Sequence, residues 1–393
     1  MVNEEEKICR FRLHNWPGVG DKAIEKLLEY FGSAAQACRV GQEDLKQVLR
    51  EKTAEQAAEF NRTFDGVKAY ERMREKGITF YTRDEEEYPS RLQKLNPPPF
   101  GIYCLGRMPG DEGPAAAIIG ARECSGYGVH MAEAFGEGFA RAGIAVVSGM
   151  ARGIDGISQR AALACGGETY GVLGSGVDVC YPASNRELYC RIVEGGGGIL
   201  SIFPPGTMPL KQQFPERNRI VAGLSDLVLV VEARQKSGTW ITVDMALDQG
   251  KNVYAVPGRL TDRLSDGCNL LIRQGAGIAL SPEDVIAETV LLGNRKQWGQ
   301  TAPVRKGKEK KTERKTTGRG TEDQGRDEEK EGGREGILSL LDYYPKSVDE
   351  IAKEMEKNGI KTEISGIFAE LIELCINKKA RQISGNYFVK SDE

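Results

Sequence analysis

The sequence predicts an α/β chain on a Rossmann-like parallel sheet, preceded by an N-terminal helical domain and followed by a C-terminal winged helix. Three observations lead there. From about residue 113, short apolar runs alternate with helical patterns, as in a parallel sheet covered on both faces. Residues 305–335 contain no hydrophobic residue and so divide the chain. The segment beyond them reads as helix, helix-turn-helix, then β-hairpin, an order that suits a winged helix.

Residues 1–80 form the helical domain. In "NWPGVGDKAIEKLLEYFGS" a Pro-Gly-Val-Gly turn precedes Ile24, Leu27, Leu28 and Phe31 at helical spacing. Two readings stay open for the turn. It is the hairpin of a helix-hairpin-helix (SAM-like) unit, whose backbone amides can hold a DNA phosphate, or a plain turn in a small bundle. Residues 81–112 are a connector, proline-rich in "YPSRLQKLNPPPFGIYCLG" and leading into a short strand.

The Rossmann-like domain spans 113–300. Its strands are "AAAIIG", "IAVVS", "TYGVLGSG", "GGILSIF", "DLVLVVEA" and "NVYAVPG". Helices between them include one through Phe135 and Phe139, "RGIDGISQRAALAC", "PERNRIVAGL" and "TWITVDMALDQG". Residues 301–335 are a charged, disordered linker: 305–319 hold eight basic and two acidic residues, 321–335 three basic and seven acidic. The winged-helix-like domain is 336–393. Its second helix carries Glu363, Glu370 and Glu373, so protein contact is at least as good a reading as duplex groove reading.

Composition narrows the function. The 393 residues suit two or three domains, and net charge is −3, so any nucleic-acid site must be a local basic patch. The nine cysteines include no CxxC pair, and His14 and His130 are the two histidines; a zinc site and a disulfide framework are both disfavoured. The acidic start MVNEEEKICR lacks an apolar signal region, and no run of about 18 apolar residues occurs. The expectation is a cytoplasmic protein with no membrane segment.

In a parallel sheet, ligands bind beyond the carboxyl ends of the strands. The loops there are "GAREC", "SGMARGID", "GSGVD", "FPPGTMPLKQQFPERNR", "EARQKSGT" and "PGRLTDRLSDGCN". Most contain glycine and many feed a helix start, where backbone amides favour anions. Arg122, Arg152, Lys211, Arg217, Arg219 and Lys236 lie in or near them and would form a basic edge suited to phosphates. In "KQQFPERNR" a helix would bring Lys211, Phe214 and Arg217 onto one side, with Arg219 following. Alone, that stretch fits a solvated helix start with one core phenylalanine. Among these loops it reads as cations for phosphates around a ring on which a base can stack, the needs of sequence-independent single-strand binding.

Other chemistries lack their motifs. The first strand-helix turn reads Gly120-Ala121-Arg122-Glu123-Cys124-Ser125, without the GxGxxG fingerprint, and no GxxxxGK[ST] occurs. No Ser-His-Asp set is visible. Asp155 and Glu232 are the best acid-base candidates, and Asp155 serves equally as a loop-ordering cap.

The stretches "IIGARECSGYG", "VSGMARGIDGISQRAAL", "VLGSGVDVCYPASNREL", "FPERNRIVAGLSDLVLVVEA", "SGTWITVDMALDQGKNVYAVPG" and "GCNLLIRQGA" run in order through 117–276 and resemble the DNA processing protein A family (DprA/Smf). The flanking domains resemble that family's as well. The resemblance implies a non-enzymatic protein without a nucleotide cofactor. It implies single-stranded DNA held in a basic pocket, a homodimer formed through the Rossmann-like domain, and loading of RecA recombinase during natural transformation. By position it assigns phosphate contacts to Arg122, Lys211, Arg217 and Arg219, and the pocket's aromatic to Phe214. Ser148 and Gly149 line the pocket with the backbone of "SGMARG", which includes Arg152. One departure stands out. Where family members commonly carry a histidine in the "GIDxxAH" segment, this chain has Ser158-Gln159, so no catalytic histidine stands there.

Two alternatives remain. A phosphoribohydrolase-like enzyme on a similar fold would use Glu232 near "SGT", although the PGGxGT loop of such enzymes is replaced by "EARQKSGTWIT". A pure interaction scaffold would use the basic loops only to cap helices.

Overall fold

The computed structural model describes residues 3–292, 331–341, 346–357, 360, 364–382 and 387–391. The chain forms two compact units, Met1–Thr301 and Ala302–Glu393.

The first unit is built on one sheet. Its strands are β1 (Ile78–Thr82), β2 (Gly101–Gly106), β3 (Ala115–Ile119), β4 (Ala145–Ser148), β5 (Thr169–Val172), β6 (Gly198–Ser201), β7 (Leu227–Val230), β8 (Asn252–Ala255) and β9 (Gly277–Ile278). Their order is β1-β2-β6-β5-β4-β3-β7-β8-β9. From β6 to β9 every pair is parallel, while β1–β2 and β2–β6 are antiparallel. The strands β3 to β7 are apolar because helices cover both faces. All five residues of β3 are buried, as are all four of β5, β6 and β7.

Chain order decides where a ligand can enter. After β3 the chain winds through β4, β5 and β6 to one side, then returns to lay β7, β8 and β9 on the other. The order therefore reverses between β3 and β7, and the loops leaving their carboxyl ends diverge to leave a crevice.

Strands β1 and β9 have no counterpart in the sequence reading. Strand β1 shows the signal in retrospect, since Ile78, Phe80 and Thr82 alternate as buried residues. The two-residue β9 carries none. The first residues are helical, with helices at Glu4–His14, Asp21–Phe31, Glu51–Thr63 and Gly66–Glu75. The Pro-Gly-Val-Gly turn joins the first two. These helices share a core with the sheet: Phe11, Leu13 and Ile24 belong to one buried cluster with Met150, Leu173 and Ile199.

In the second unit, helix Glu331–Leu340 is followed by β10 (Lys346–Ser347), helices Val348–Lys357 and Ile364–Ile376, and then β11 (Ala380–Gln382) and β12 (Tyr387–Lys390). The three strands are antiparallel in the order β10-β12-β11. Ile337, Ile351, Ile367, Leu371 and Phe388 form its core. The first helix starts inside the stretch expected as linker, and its C-terminal part packs through Ile337. The rest of that linker, Glu363 and the Ser-Gly-Asn turn lie outside the described residues.

Candidate nucleic-acid interface

Two adjoining clefts open beyond the carboxyl ends of β3, β4 and β7. One, of about 480 Å³, is lined by Gly120–Arg122 after β3, Gly149 and Ala151 after β4, Ser237–Thr239 after β7, and Lys211, Phe214, Arg217 and Asn218. The other, of about 490 Å³, shares Arg122, Gly149, Ala151, Phe214 and Arg217 and adds Arg152, Cys180, Tyr181, Met208 and Pro209. The first occupies the crevice that the strand order creates, and the second lies beside it over the loops after β4 and β5.

Phe214 divides them. It is the second residue of the helix Gln213–Leu224, and Arg217 lies one turn further on. The Arg122 guanidinium stands 5.7 Å from the Phe214 ring centre and that of Arg217 5.8 Å. The Tyr181 ring lies 5.9 Å away, tilted by 39°. One aromatic thus holds two guanidinium planes beside it, and another aromatic at its edge. Gly174 permits this approach, since a Cβ there would lie 3.0 Å from Phe214 Cδ1.

Arg217 is the unusual member. It is 6% exposed, yet its guanidinium donates no hydrogen bond among the described residues, and its Nε is buried without a partner. Asp155 Oδ2 stands 4.0 Å from its Nη1, which is charge compensation without a close bond. Burial pushes the arginine's pKa down, while Asp155 opposes that shift and Arg122 reinforces it. Burial also pushes the Asp155 carboxyl up, against Arg217 and the backbone amides it accepts from. Those amides belong to Gly149 at 3.1 Å and Ala151 at 3.4 Å, so Asp155 ties down the loop after β4. Gly149 makes room for the arginine: a Cβ there would sit 1.1 Å from Arg217 Nη1. Buried polar groups are nearly always hydrogen-bonded. A guanidinium that is buried, unbonded and on a cleft wall is therefore placed for an anion from outside.

A model of the family described as DNA recombination-mediator protein A matches residues 79–290, which include every residue of these clefts. The chain belongs to that family. It is 40% identical to the DNA processing protein DprA of Streptococcus pneumoniae over 201 residues, 51% of this chain and 71% of that one. It is 38% identical to the DprA of Bacillus subtilis over 216 residues, 55% of this chain and 72% of that one. Among solved structures it is similar to DprA from S. pneumoniae (TM-score 0.61, 33% identity, 73% of this chain and 99% of that one). It is also similar to DprA from Helicobacter pylori, described for its single-stranded DNA binding mode (TM-score 0.50, 29% identity, 55% of this chain and 97% of that one).

Of the residues that the resemblance to the DprA family assigned, Arg122, Gly149, Arg152, Lys211, Phe214 and Arg217 meet at the two clefts. Lys211 lies just before the helix rather than on it. Two others are placed elsewhere. Ser148 is fully buried and donates its hydroxyl to the Ile118 carbonyl at 2.6 Å, tying β4 to β3 beneath the cleft floor. Arg219 is two positions past Arg217 and so projects from the opposite flank of the helix. There it donates to the Pro97 carbonyl and lines a separate cavity with His14, Asp21 and Glu216.

Glu232, the catalytic candidate of the enzyme reading, is fully buried. It accepts from the Ser125 amide and hydroxyl at the start of helix Gly126–Arg141. A Cβ at Gly128 would lie 2.2 Å from its Oε2, so the glycine makes its seat. The side chain acts as a cap within the fold and does not line the cleft. Gln159, which follows Ser158 in the family's histidine segment, donates to Thr169 Oγ1 and the Tyr170 carbonyl, a bracing role inside the core. No group of three or more metal-ligating side chains occurs among the described residues. No described helix is long and apolar enough to cross a membrane.

Sequence reasoning missed Tyr181 and Met208, which are 45% and 64% exposed beside Phe214. For Tyr181 the available signal was an aromatic next to proline in a loop leaving a strand, "GSGVDVCYPAS"; Met208 lies in the loop "FPPGTMPLKQQFPERNR" without a signal of its own.

Proposed function

We propose that this chain is a non-enzymatic single-stranded DNA-binding protein of DNA processing, whose site is the pair of clefts around Phe214. The observation that carries this reading is Arg217, a buried guanidinium without a hydrogen bond, facing a cleft beside an aromatic ring. Arg122, Arg152 and Lys211 stand around it without carboxylate partners among the described residues. A phosphate supplies the acceptors that Arg217 lacks, and a base lies against Phe214 or Tyr181. The contacts available read backbone and ring faces, so binding is independent of base sequence. The relative from H. pylori with a described single-strand binding mode, and the family's description as a recombination mediator, support the same reading.

On this reading the chain acts in natural transformation or recombination, holding incoming single strands and delivering them to RecA recombinase as a homodimer. A single-strand site covering few nucleotides gains from a second copy through avidity. Apolar surface for that contact is available where Ile278 and Leu280 are exposed at and just after the edge strand β9, while Leu271 of the helix Asp266–Arg273 is core. The C-terminal unit serves as a winged helix that meets protein. Its helix Ile364–Ile376 has no cation for a DNA groove and exposes Ile364, Phe368 and Ile376.

Titration of labelled single and double strands at several salt concentrations tests the central claim. Single strands are expected to bind more tightly, with a log-log salt slope of about 0.7 per phosphate contact. Phe214→Ala should cost roughly 1–3 kcal/mol with the slope nearly unchanged, since stacking releases no counterions. Equal affinity for duplex, or a Phe214→Ala variant whose slope falls like that of a lysine variant, would overturn the assignment.

A further inference from the structure

The carboxyl edge does not stop at the cleft. Strands β7 and β8 pair in parallel through Val230 and Ala255, so their following loops leave the same edge side by side. The loops are bonded together: the Ala233 amide donates to the Leu264 carbonyl at 2.8 Å, and the Gly267 amide to the Ala233 carbonyl at 2.8 Å. The first bond joins the residue before Arg234 to the residue after Arg263. Trp240 donates its indole N–H to the Arg234 carbonyl at 3.1 Å and fixes that loop to the next helix.

Arg234, Lys236 and Arg263 are all exposed, and none of them has an ion-pair partner among the described residues. Asp262, the acid beside Arg263, turns its carboxylate back to accept the Leu264 amide at 2.9 Å. Two bonded loops thus carry three exposed cations without ion-pair partners among the described residues, a local field that attracts a polyanion. Lys236 directly precedes Ser237, which lines the cleft. Neighbouring strands lie about 4.8 Å apart, which puts the β8 loop within roughly 10 Å of the cleft at β3.

We propose that Arg234, Lys236 and Arg263 form a second phosphate platform, over which a single strand continues after leaving the Phe214 cleft. The inference rests on the single-strand reading of that cleft and adds the direction of travel, from the loops after β4 and β3 across those after β7 and β8. It assigns length dependence to the platform and base stacking to the cleft. A strand too short to reach past the cleft gains nothing from these cations.

The test uses the full chain and oligodeoxythymidylates of about 5 and about 15 nucleotides, within the range of single-strand site sizes. A triple variant, Arg234→Ala with Lys236→Ala and Arg263→Ala, should bind the longer strand about tenfold more weakly, with a salt slope lower by about 2. Its affinity for the shorter strand should change by less than about twofold. Thermal melting checks the fold. Unchanged affinity at both lengths, or an equal loss at both, overturns the platform. So does a loss on the longer strand accompanied by a fall from two bound strands per protomer to one, because the cations would then hold a separate strand. The cleft reading fails differently: Phe214→Ala would leave the shorter strand's affinity intact while the triple variant still lost the longer one.

Discussion

The two edges of the sheet carry clefts of nearly equal size and opposite electrostatic condition. At the amino edge a cavity of about 490 Å³ is walled by Arg91, Arg107, Glu168, Tyr170 and the glycine-rich turn at Gly110–Gly113. Its arginines are satisfied. Arg91 reaches Asp226 through Nε at 3.1 Å and Nη2 at 2.9 Å, and donates to the Gly110 and Gly113 carbonyls. Arg107 pairs with Glu168. At the carboxyl edge Arg122, Arg152 and Lys211 have no carboxylate partner among the described residues, and Arg217 has only a distant one. Volume therefore does not identify the site. What separates the edges is whether the protein supplies the acceptors its own cations need.

The largest test of that contrast is Arg217. Arg217→Ala should weaken single-strand binding by about 2 kcal/mol or more, roughly thirtyfold. Gly149→Ala should do nearly as much without removing any charge, because the new methyl claims the space of Arg217 Nη1. Strand titration with circular dichroism as the fold control checks both. A Gly149→Ala protein that is folded and binds normally would mean that the position of Arg217 does not matter.

Arg91→Ala should behave oppositely. It leaves Asp226 and two carbonyls short of a donor, at a cost of about 2 kcal/mol in urea denaturation after allowance for the partial exposure of Asp226. Strand affinity should stay where it was. If affinity fell while stability held, the amino edge would be a second nucleic-acid site and the contrast would fail.

How much of this was legible in the sequence follows from the same physics. Strands β3 to β8 were readable because burial on both faces demands continuous apolar runs. The switch point was not, since strand order is a property of the assembled sheet. Arg122, Arg152, Lys211, Phe214 and Arg217 come together at the clefts because loops after strands gather at one edge, whereas Gly149 was placed with them only by the family resemblance. Arg219 was grouped with Arg217 by closeness in sequence, but two positions on a helix turn a side chain about 200° away. Ser148 was assigned to the pocket lining, whereas at the last position of β4 it points into the sheet. The compensation of Arg91 by Asp226, 135 positions apart, leaves no local pattern at all.

Cutting the chain after Thr301 sharpens the comparison by removing everything beyond the first unit. The basic half of the linker goes with it. Affinity for a short strand should change by less than about threefold, because each cleft contact considered lies before that point. A tenfold loss would move part of the electrostatic hold to the linker or the second unit.

The smallest effect is expected from Arg107→Ala, and its smallness is informative. Arg107 and Glu168 each keep about half of their side-chain surface exposed, at 55% and 51%. The pair is therefore screened by water and salt, and its loss should change stability by no more than about 0.5 kcal/mol. The guanidinium keeps its charge through any accessible pH, and Glu168 holds it further in the charged form. Deleting it removes a full positive charge from the amino edge, yet that charge is already neutralised locally. If binding responds to uncompensated cations, the salt slope for single strands should not move. If it responds to the total charge of the domain, the slope and affinity should fall as they do for Lys211→Ala. Titrating Arg107→Ala and Lys211→Ala side by side at equal salt thus separates local compensation from net charge, with two variants that each remove one positive charge.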